Sequence, residues 1–292
     1  MDAKYDYRLY ENFVWDDSNI PILDAMHEKI IDFAKYSSIK IGGRVLVKIA
    51  QNIDEILVLQ KTHFIIGGAN NLLLSPKNHS LFMLGKEFDY IRDLGDLVEV
   101  GASCNAKKAF LHFKAQNLAG LEFLGTIPGK IGGIIKMNAG MKSYEVARIV
   151  HSVCENGEWR ENVPFGYRTS GICGAISAVR FRKIIGFDSA VEAQCKAMRS
   201  NQPKNPSAGS FFRNPNEIPR GFEMPLSAGK LLDLAGFRGK RIGNVAFSEI
   251  HANFLINCGG GTFTDAITLT NLARDAVCEK FGITLQSEVV VL

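Results

Sequence analysis

Hydrophobic and polar positions along this chain follow two periods, about 2 and about 3.6, and the switches between them predict its elements. Residues 44–50, RVLVKIA, turn Val45, Val47 and Ile49 to one side, as a half-buried strand does. Asn52 with Glu55 then resembles a capping box opening a short helix. Strands are predicted over His63 to Ile66, running into GGANN, and over Leu97 to Val100, running into GASCN. Ala178 to Arg182 alternates Val179 and Phe181 against Arg180 and Arg182, and Asn156-Gly157 suits a tight hairpin turn before it. Helical spacing puts Ala106, Ala109, Phe110 and Phe113 on one face, with Leu118-Ala119-Gly120 as a stop. Asp188 can cap a helix whose buried side is Val191, Cys195 and Met198. Two more helices are predicted: Ser227 to Ala235 before Gly236, and Thr264 to Phe281 before Gly282, and the chain closes with a strand.

Composition narrows the class. Of 292 residues, 46% are hydrophobic and 22% charged, which suits a globular protein with a sizeable core. The net charge of +4 favours an anionic small molecule; without a dense Lys/Arg run interleaved with aromatics, nucleic acid is not the expected partner. The six cysteines form neither a CxxC pair nor zinc-ligand spacing with the histidines, and no basic-then-apolar leader opens the chain, so reduced thiols and a cytoplasmic location are expected. No apolar run approaches the roughly 18 residues of a membrane span, and no metal site is expected. Residues 1–28, acidic and aromatic, read as an N-terminal arm outside the core.

Chemistry concentrates in glycine-rich stretches. Residues 120–140, GLEFLGTIPGKIGGIIKMNAG, place glycines among Pro128, Asn138 and apolar residues, which demands that backbone pass close to something side chains would obstruct. GGANN after a strand can aim consecutive N–H groups at an anion, or be a plain turn. A GxGxxG after a strand and a GxxxxGK[ST] loop are both absent, which disfavours the dinucleotide and P-loop folds they mark. Glu288 precedes the apolar run Val289 to Leu292. It is either a buried carboxyl with a raised pKa, able to donate a proton, or an edge glutamate facing water. Arg168 in GYRTS suits a fixed guanidinium that recognises a carboxylate, or a surface salt bridge. Ser210, between Pro206 and Pro215, sits in a stiff loop open to close approach, but no GxSxG elbow surrounds it, so nucleophilic hydrolysis is not supported. His251 reads as a residue that orders local backbone.

GLEFLGTIPGKIGG followed by MNAG resembles the central flavin-binding segment of the UDP-N-acetylenolpyruvoylglucosamine reductases. SSIKIGG, GGANNLLL, GYRTS, PSAGSFFRNP, HANFLIN and the final LQSEV agree in order from about residue 29 to the end. The resemblance implies an α+β fold, with a two-part FAD-binding region of the vanillyl-alcohol-oxidase/PCMH type followed by a C-terminal α+β substrate-binding domain. Residues 29–95 and 96–186 would be the two flavin subdomains and 187–292 the substrate domain, its final strand returning Glu288 to the site. FAD and NADPH are the implied cofactors, and the implied substrate is a UDP-sugar enolpyruvyl ether, handled by a monomer. Arg168, Ser210 and Glu288 are implied as catalytic, the serine as proton donor and the other two as stabilisers of an enolate. Gly67, Gly68, Ala69, Asn70, Asn71, Leu72, Ile127, Pro128, Gly129, Gly132, Gly133, Asn138, Ala139, Gly140, Tyr167 and Ser170 are implied to bind the cofactor. Asn214 is implied for the substrate, Lys204 with Arg199 and Arg213 would meet its diphosphate, and Arg238, Lys240 and Arg241 are further candidates. The chain departs from the family in carrying Thr126 and Ser143 where glycines are usual. Its short Arg168 to Ser210 spacing leaves no room for an inserted tyrosine-bearing loop, which implies the shorter subclass. Another FAD-dependent oxidase or dehydrogenase of a sugar or hydroxy acid, and a non-catalytic flavin or nucleotide binder, are the alternatives.

Overall fold

Strand β2 (Arg44–Ala50) buries Val45 and Val47 and turns Arg44 and Leu46 to solvent, as its alternation requires. The computed structural model describes residues 26–77 and 79–292. Within it, β1 (His27–Asp32) pairs antiparallel with β2 from His27↔Ile49 to Asp32↔Arg44. His27 and Glu28, expected in the arm, are therefore sheet residues, and Met26, also expected there, is buried with Ile56, Leu59 and Phe82; residues 1–25 of that arm lie outside the described residues. Helix α1 (Phe33–Tyr36) follows, capped by Asp32, and α2 (Ile53–Leu59) is capped by Asn52, whose side chain accepts from Glu55 N at 2.9 Å. Glu55 reaches back one residue beyond a capping box, to Gln51 N at 2.7 Å. Strands β3 (Phe64–Ile65) and β5 (Leu81–Leu84) complete a sheet of order β1-β2-β5-β3, both running parallel into it. Between them β4 (Leu72–Leu73) leaves this sheet for the far end of the chain.

The second layer is antiparallel, in order β11-β10-β14-β7-β6. Its strands are β6 (Ile91–Asp93), β7 (Leu97–Gly101), β10 (Val150–Glu155), β11 (Glu158–Glu161) and β14 (Ile176–Arg182). The β10–β11 turn holds Asn156 at φ +55° and Gly157 at φ +86°, the left-handed geometry that selects this dipeptide. Helix α3 (Ala106–Ala115) buries the expected face, Ala106, Ala109, Phe110 and Phe113. Helix α4 (Ile131–Lys136) lies against β7 and β14 at close range: Gly132 N donates to Ala102 O at 2.9 Å, and a Cβ on Gly132 would stand 3.1 Å from that of Ala102. Helix α5 (Ser189–Met198), read from sequence as the opening of the C-terminal unit, packs on this second layer instead. Cys195 joins the core of Phe113 and Phe181, and buried Glu192 takes Lys114 Nζ at 2.6 Å and Lys196 Nζ at 2.5 Å. Two small hairpins, β8–β9 (Gly140–Met141, Tyr144–Glu145) and β12–β13 (Phe165–Gly166, Thr169–Ser170), stand at its edge.

The third layer, in order β15-β18-β17-β16, comprises β15 (Ser207–Ser210), β16 (Arg241–Ile242), β17 (Val245–Phe247) and β18 (Phe254–Asn257). Helices α6 (Ala228–Leu234), capped by Ser227, and α7 (Phe263–Phe281) cover it. A Thr262–Asp265 capping box starts α7 and Gly282 at φ +72° stops it. Phe212, Phe237, Phe247, Leu269 and Val277 form its core together with Ile39, Leu73 and Val289, so residues from both ends of the chain share it. The last strand, β19 (Val290–Val291), pairs in parallel with β4 as Val290↔Leu72 and Val291↔Leu73. None of the six cysteines is in a disulfide. Among the described residues no helix is long and apolar enough to cross a membrane, and no cluster of ligand side chains could hold a metal ion.

Candidate active site

A cleft of about 1120 Å³ opens between the three layers, lined by the loops after β3, before and after α4, at the β12–β13 turn, and along residues 197–214. Its floor begins at Gly67. The carbonyls from this loop are taken up by the protein: Tyr36 OH donates to Gly67 O, Ser38 N to Ala69 O, Ser38 Oγ to Asn70 O and Val290 N to Asn71 O. Among the described residues, the N–H groups from Gly67 to Asn71 have no acceptor. A run of amide donors without acceptors around Ala69, itself at φ +49°, has the donor set that an anion could use. A Cβ at Gly68 would stand 2.5 Å from Asn70 Oδ1 and 3.5 Å from Gly129 Cα, so this loop and the Ile127-Pro128-Gly129 loop meet backbone to backbone. A Cβ at Gly133, by contrast, would meet nothing within 4 Å and point into open space along the cleft. A narrow donor-rich cradle beside open volume fits a dinucleotide-sized cofactor with a diphosphate, as FAD is.

Arg168 occupies the two-residue turn of the β12–β13 hairpin at φ +56°, a left-handed conformation that costs an arginine about 1–2 kcal/mol. The turn aims its guanidinium into the cleft. Nε donates to Glu288 Oε1 at 3.0 Å, Nη2 donates to Gly140 O at 3.2 Å, and the group sits 5.1 Å from the Tyr167 ring centre. Glu288 is held from both sides: its N donates to Phe211 O at 2.8 Å and its O accepts from Asn71 Nδ2 at 3.0 Å. Burial pushes its carboxyl above the usual carboxylate range, outweighing the opposite pull of Arg168 and Arg213. Ser210 ends β15 opposite Phe254, immediately before the Phe211 that pairs with Glu288. Ser210 lines the cleft, and its hydroxyl has no hydrogen-bond partner among the described residues.

Most of the residues named from sequence line this one cleft: Gly67 to Leu72, Ile127, Pro128, Gly129, Gly133, Ala139, Gly140, Tyr167, Lys204 and Asn214, with Arg168, Ser210 and Glu288. Gly132, Asn138 and Ser170 do not. Gly132 faces Ala102 across the helix–sheet contact. Asn138, at φ +41°, is buried and ties Glu145 Oε2 and Gly166 O through Nδ2. Ser170 Oγ donates to Lys136 O at 3.0 Å. These three shape the walls. Asn214 also has a second task, accepting from Ala228 N at the start of α6 at 3.0 Å. Thr126 sits at φ −119°, a conformation open to any residue, so no glycine is needed there.

Among the candidate cations, Arg199 and Lys204 line the cleft, whereas Arg213, Arg238, Lys240 and Arg241 do not. Arg238 is held by Asp233 through two hydrogen bonds, 2.6 and 2.9 Å, and by two carbonyls of the next loop. Burial lowers the pKa of the Arg199 guanidinium, and no carboxylate engages it among the described residues. His251 orders backbone as expected, its Nδ1 accepting from Asn253 N at 3.3 Å. Sequence reasoning missed the stretch from Ala197 to Ser207 as one continuous wall of the cleft, and missed Tyr36 as the anchor of Gly67 O. A helix predicted up to Met198 followed by an Asn/Pro-rich loop was the available signal for the wall.

The chain is similar to known proteins along most of its length. Residues 202–292 match the family model for the UDP-N-acetylenolpyruvoylglucosamine reductase C-terminal domain. A UDP-N-acetylenolpyruvoylglucosamine reductase of Helicobacter hepaticus is 48% identical over 270 residues, covering 91% of this chain and 100% of the relative. One from Campylobacter jejuni is 38% identical over 271 residues, covering 90% of this chain and 100% of the relative. The crystal structure of UDP-N-acetylenolpyruvylglucosamine reductase (MurB) from Thermus caldophilus superposes with a TM-score of 0.76 at 28% identity, covering 91% of this chain and 99% of that one.

Proposed function

The chain belongs to the UDP-N-acetylenolpyruvoylglucosamine reductase family, and from that membership we propose that it reduces the enolpyruvyl group of UDP-N-acetylglucosamine enolpyruvate to give UDP-N-acetylmuramate. The hydride chemistry between NADPH and the enolpyruvyl carbon distal to the ether would be supplied by bound FAD. The N–H run from Gly67 to Asn71, with Gly129 behind it, would hold the cofactor's diphosphate, and the space left open at Gly133 would admit its body. Gly132, Asn138 and Ser170 serve the same site by fixing its walls. The reading places the protein in the cytoplasm, as a monomer of the shorter subclass. Residues 29–95 and 96–186 hold the cofactor, 187–292 bind substrate, and α5 serves as the brace between the last two.

The protein's own chemistry is proton placement and charge stabilisation. Arg168 and Glu288 meet the substrate carboxylate and the negative charge that develops on it, the guanidinium as a fixed cation and the glutamic acid as a donor whose pKa burial raises. Ser210 delivers the proton to the carbon beside the ether; a serine hydroxyl suffices because a carbon-centred enolate is a strong base. Asn214 orients the sugar nucleotide, and Lys204 with Arg199 neutralises its diphosphate.

The observation that carries this reading is the Arg168–Glu288 contact at 3.0 Å in the wall where the partnerless Ser210 hydroxyl also lies. An anaerobic spectral titration tests it. The flavin spectrum should bleach with NADPH and return in step with added UDP-N-acetylglucosamine enolpyruvate, and Ser210→Ala should still bleach but not return. Bleaching without return in the unaltered protein would refute the substrate; rapid return with oxygen alone would favour an oxidase.

A further inference from the structure

Two buried polar atoms behind the site have no partner among the described residues, Arg213 Nε and Ser287 Oγ. They lie on facing stretches of chain. Phe212 bridges Ser287 in antiparallel register, Arg213 N donates to Gln286 O at 2.9 Å, and Glu288 N donates to Phe211 O at 2.8 Å. That register sets Arg213 diagonal to Glu288 on one face of the pair, a separation of about 7–8 Å that a long side chain spans. Arg213 does not line the cleft, and no carboxylate forms an ion pair with it among the described residues. Its charge still reaches Glu288, pulling that carboxyl down against burial. The charged groups facing Glu288 are thus Arg168 from the β12–β13 turn and Arg213 from the segment after β15; the β4 side contributes only the uncharged Asn71 amide.

We propose that Arg213 is a positioning residue for Glu288: a second guanidinium, outside the cleft and diagonal across the strand pair, that holds the carboxyl in a fixed field opposite Arg168. Arg168 is exposed to whatever enters the cleft and can turn to a ligand's carboxylate. Arg213, half-buried and not among the residues that line the cleft, is out of such a ligand's path. Its pull on the Glu288 carboxyl therefore stays in place while Arg168 changes partner. The inference rests on the proposed role of Glu288 for its consequence on turnover, but not for the placement of charge.

Direct titration of the Glu288 carboxyl tests it, by carbon-13 NMR of the Glu-labelled protein with Glu288→Gln identifying the signal. Arg213→Met should move the midpoint up by about one pH unit, the lower end of the effect of a nearby opposite charge, and Arg213→Lys should restore it. The alkaline limb of the turnover profile should move with the midpoint. A midpoint that moves while the turnover profile stays leaves the inference standing and removes the role given to Glu288. An unmoved midpoint in Arg213→Met, or in Arg213→Gln if the methionine variant does not fold, overturns it. So does equal loss of turnover in the lysine and methionine variants with the midpoint unchanged.

Discussion

Replacing Arg168 by glycine separates what the residue does for the fold from what it does in the cleft. Its ion pair with Glu288 has an N–O distance of 3.0 Å, with the two side chains 20% and 16% exposed. A charge-assisted hydrogen bond of this kind contributes about 1.5–3 kcal/mol, and the lower end applies because one face meets cleft water. Against this stands φ +56°, a strain of about 1–2 kcal/mol that glycine would relieve, at about 0.5–1 kcal/mol of added unfolded-chain entropy. The terms nearly cancel, so Arg168→Gly should unfold in urea within about 1 kcal/mol of the parent. Arg168→Ala keeps the strain and loses the pair, so it should be less stable than the glycine variant by about 0.5–1 kcal/mol, the reverse of the usual order. Turnover should fall in both by about 10²–10³, as when one donor aimed at developing charge is removed. An alanine variant more stable than the glycine variant would refute the left-handed turn, and more than a tenth of parental turnover in both would refute the role of the guanidinium.

Other expectations follow the same physics. Gly133→Ala should stabilise the flavin-free protein by about 0.5–1 kcal/mol, since it lies within α4, yet weaken flavin binding because the methyl enters the cradle; unchanged flavin affinity would exclude Gly133 from it. Glu155 is buried, resists that burial by accepting from Gly174 N at 2.6 Å, Arg160 and Cys173 N at 2.8 Å, and has its carboxyl below the usual range. Glu155→Ala strands these donors and should cost about 2–4 kcal/mol in urea unfolding while leaving turnover of the folded fraction intact. Because the Glu155 and Glu192 carboxyls are lowered by folding, the stability they contribute is present above the unfolded value near pH 4.3 and is lost as pH falls below it, so Glu155→Gln and Glu192→Gln should each flatten acid unfolding. Glu288 has the opposite sign: its raised pKa contributes stability below the unfolded value near pH 4.3 that is lost as pH rises through the folded one, so Glu288→Gln should gain on the parent in thermal unfolding as pH rises above about 4.3.

Local physics was readable from the chain wherever cause and effect lie within a turn or two. Asn52, Asp188, Ser227 and Asn156-Gly157 each act on a backbone a few residues away, and each stands where its chemistry predicts. Allegiance between distant elements was not readable. Helix α5 joins the second layer because Glu192 bridges Lys114 and Lys196 while Cys195 is buried, a pattern that a three-residue apolar face cannot distinguish from packing on the third layer. Asn138 and Ser170 share glycine-rich surroundings with true cleft residues, and only the direction of their side chains separates wall from lining.

The pairing of β19 with β4 explains how site and fold depend on one another. Leu72 and Val290 are neighbours only because two-residue strands from the two ends of the chain run parallel, and this pairing carries Val290 N to Asn71 O at 3.0 Å and Leu292 N to Leu73 O at 3.1 Å. Asn71 ends the run of amides without acceptors, and its side-chain amide holds the carbonyl of Glu288. The Gly67–Asn71 loop and Glu288 are therefore both tied to one short ladder. A strand of this length has too few side chains to announce its partner by alternation, and at two residues the register is specified by tertiary packing of Leu73 and Val289 in the third-layer core. Motif spacing reports that Glu288 returns to the site. The ladder is the reason it returns beside Asn71, so a change that breaks the ladder would displace Glu288 and the Gly67–Asn71 loop together.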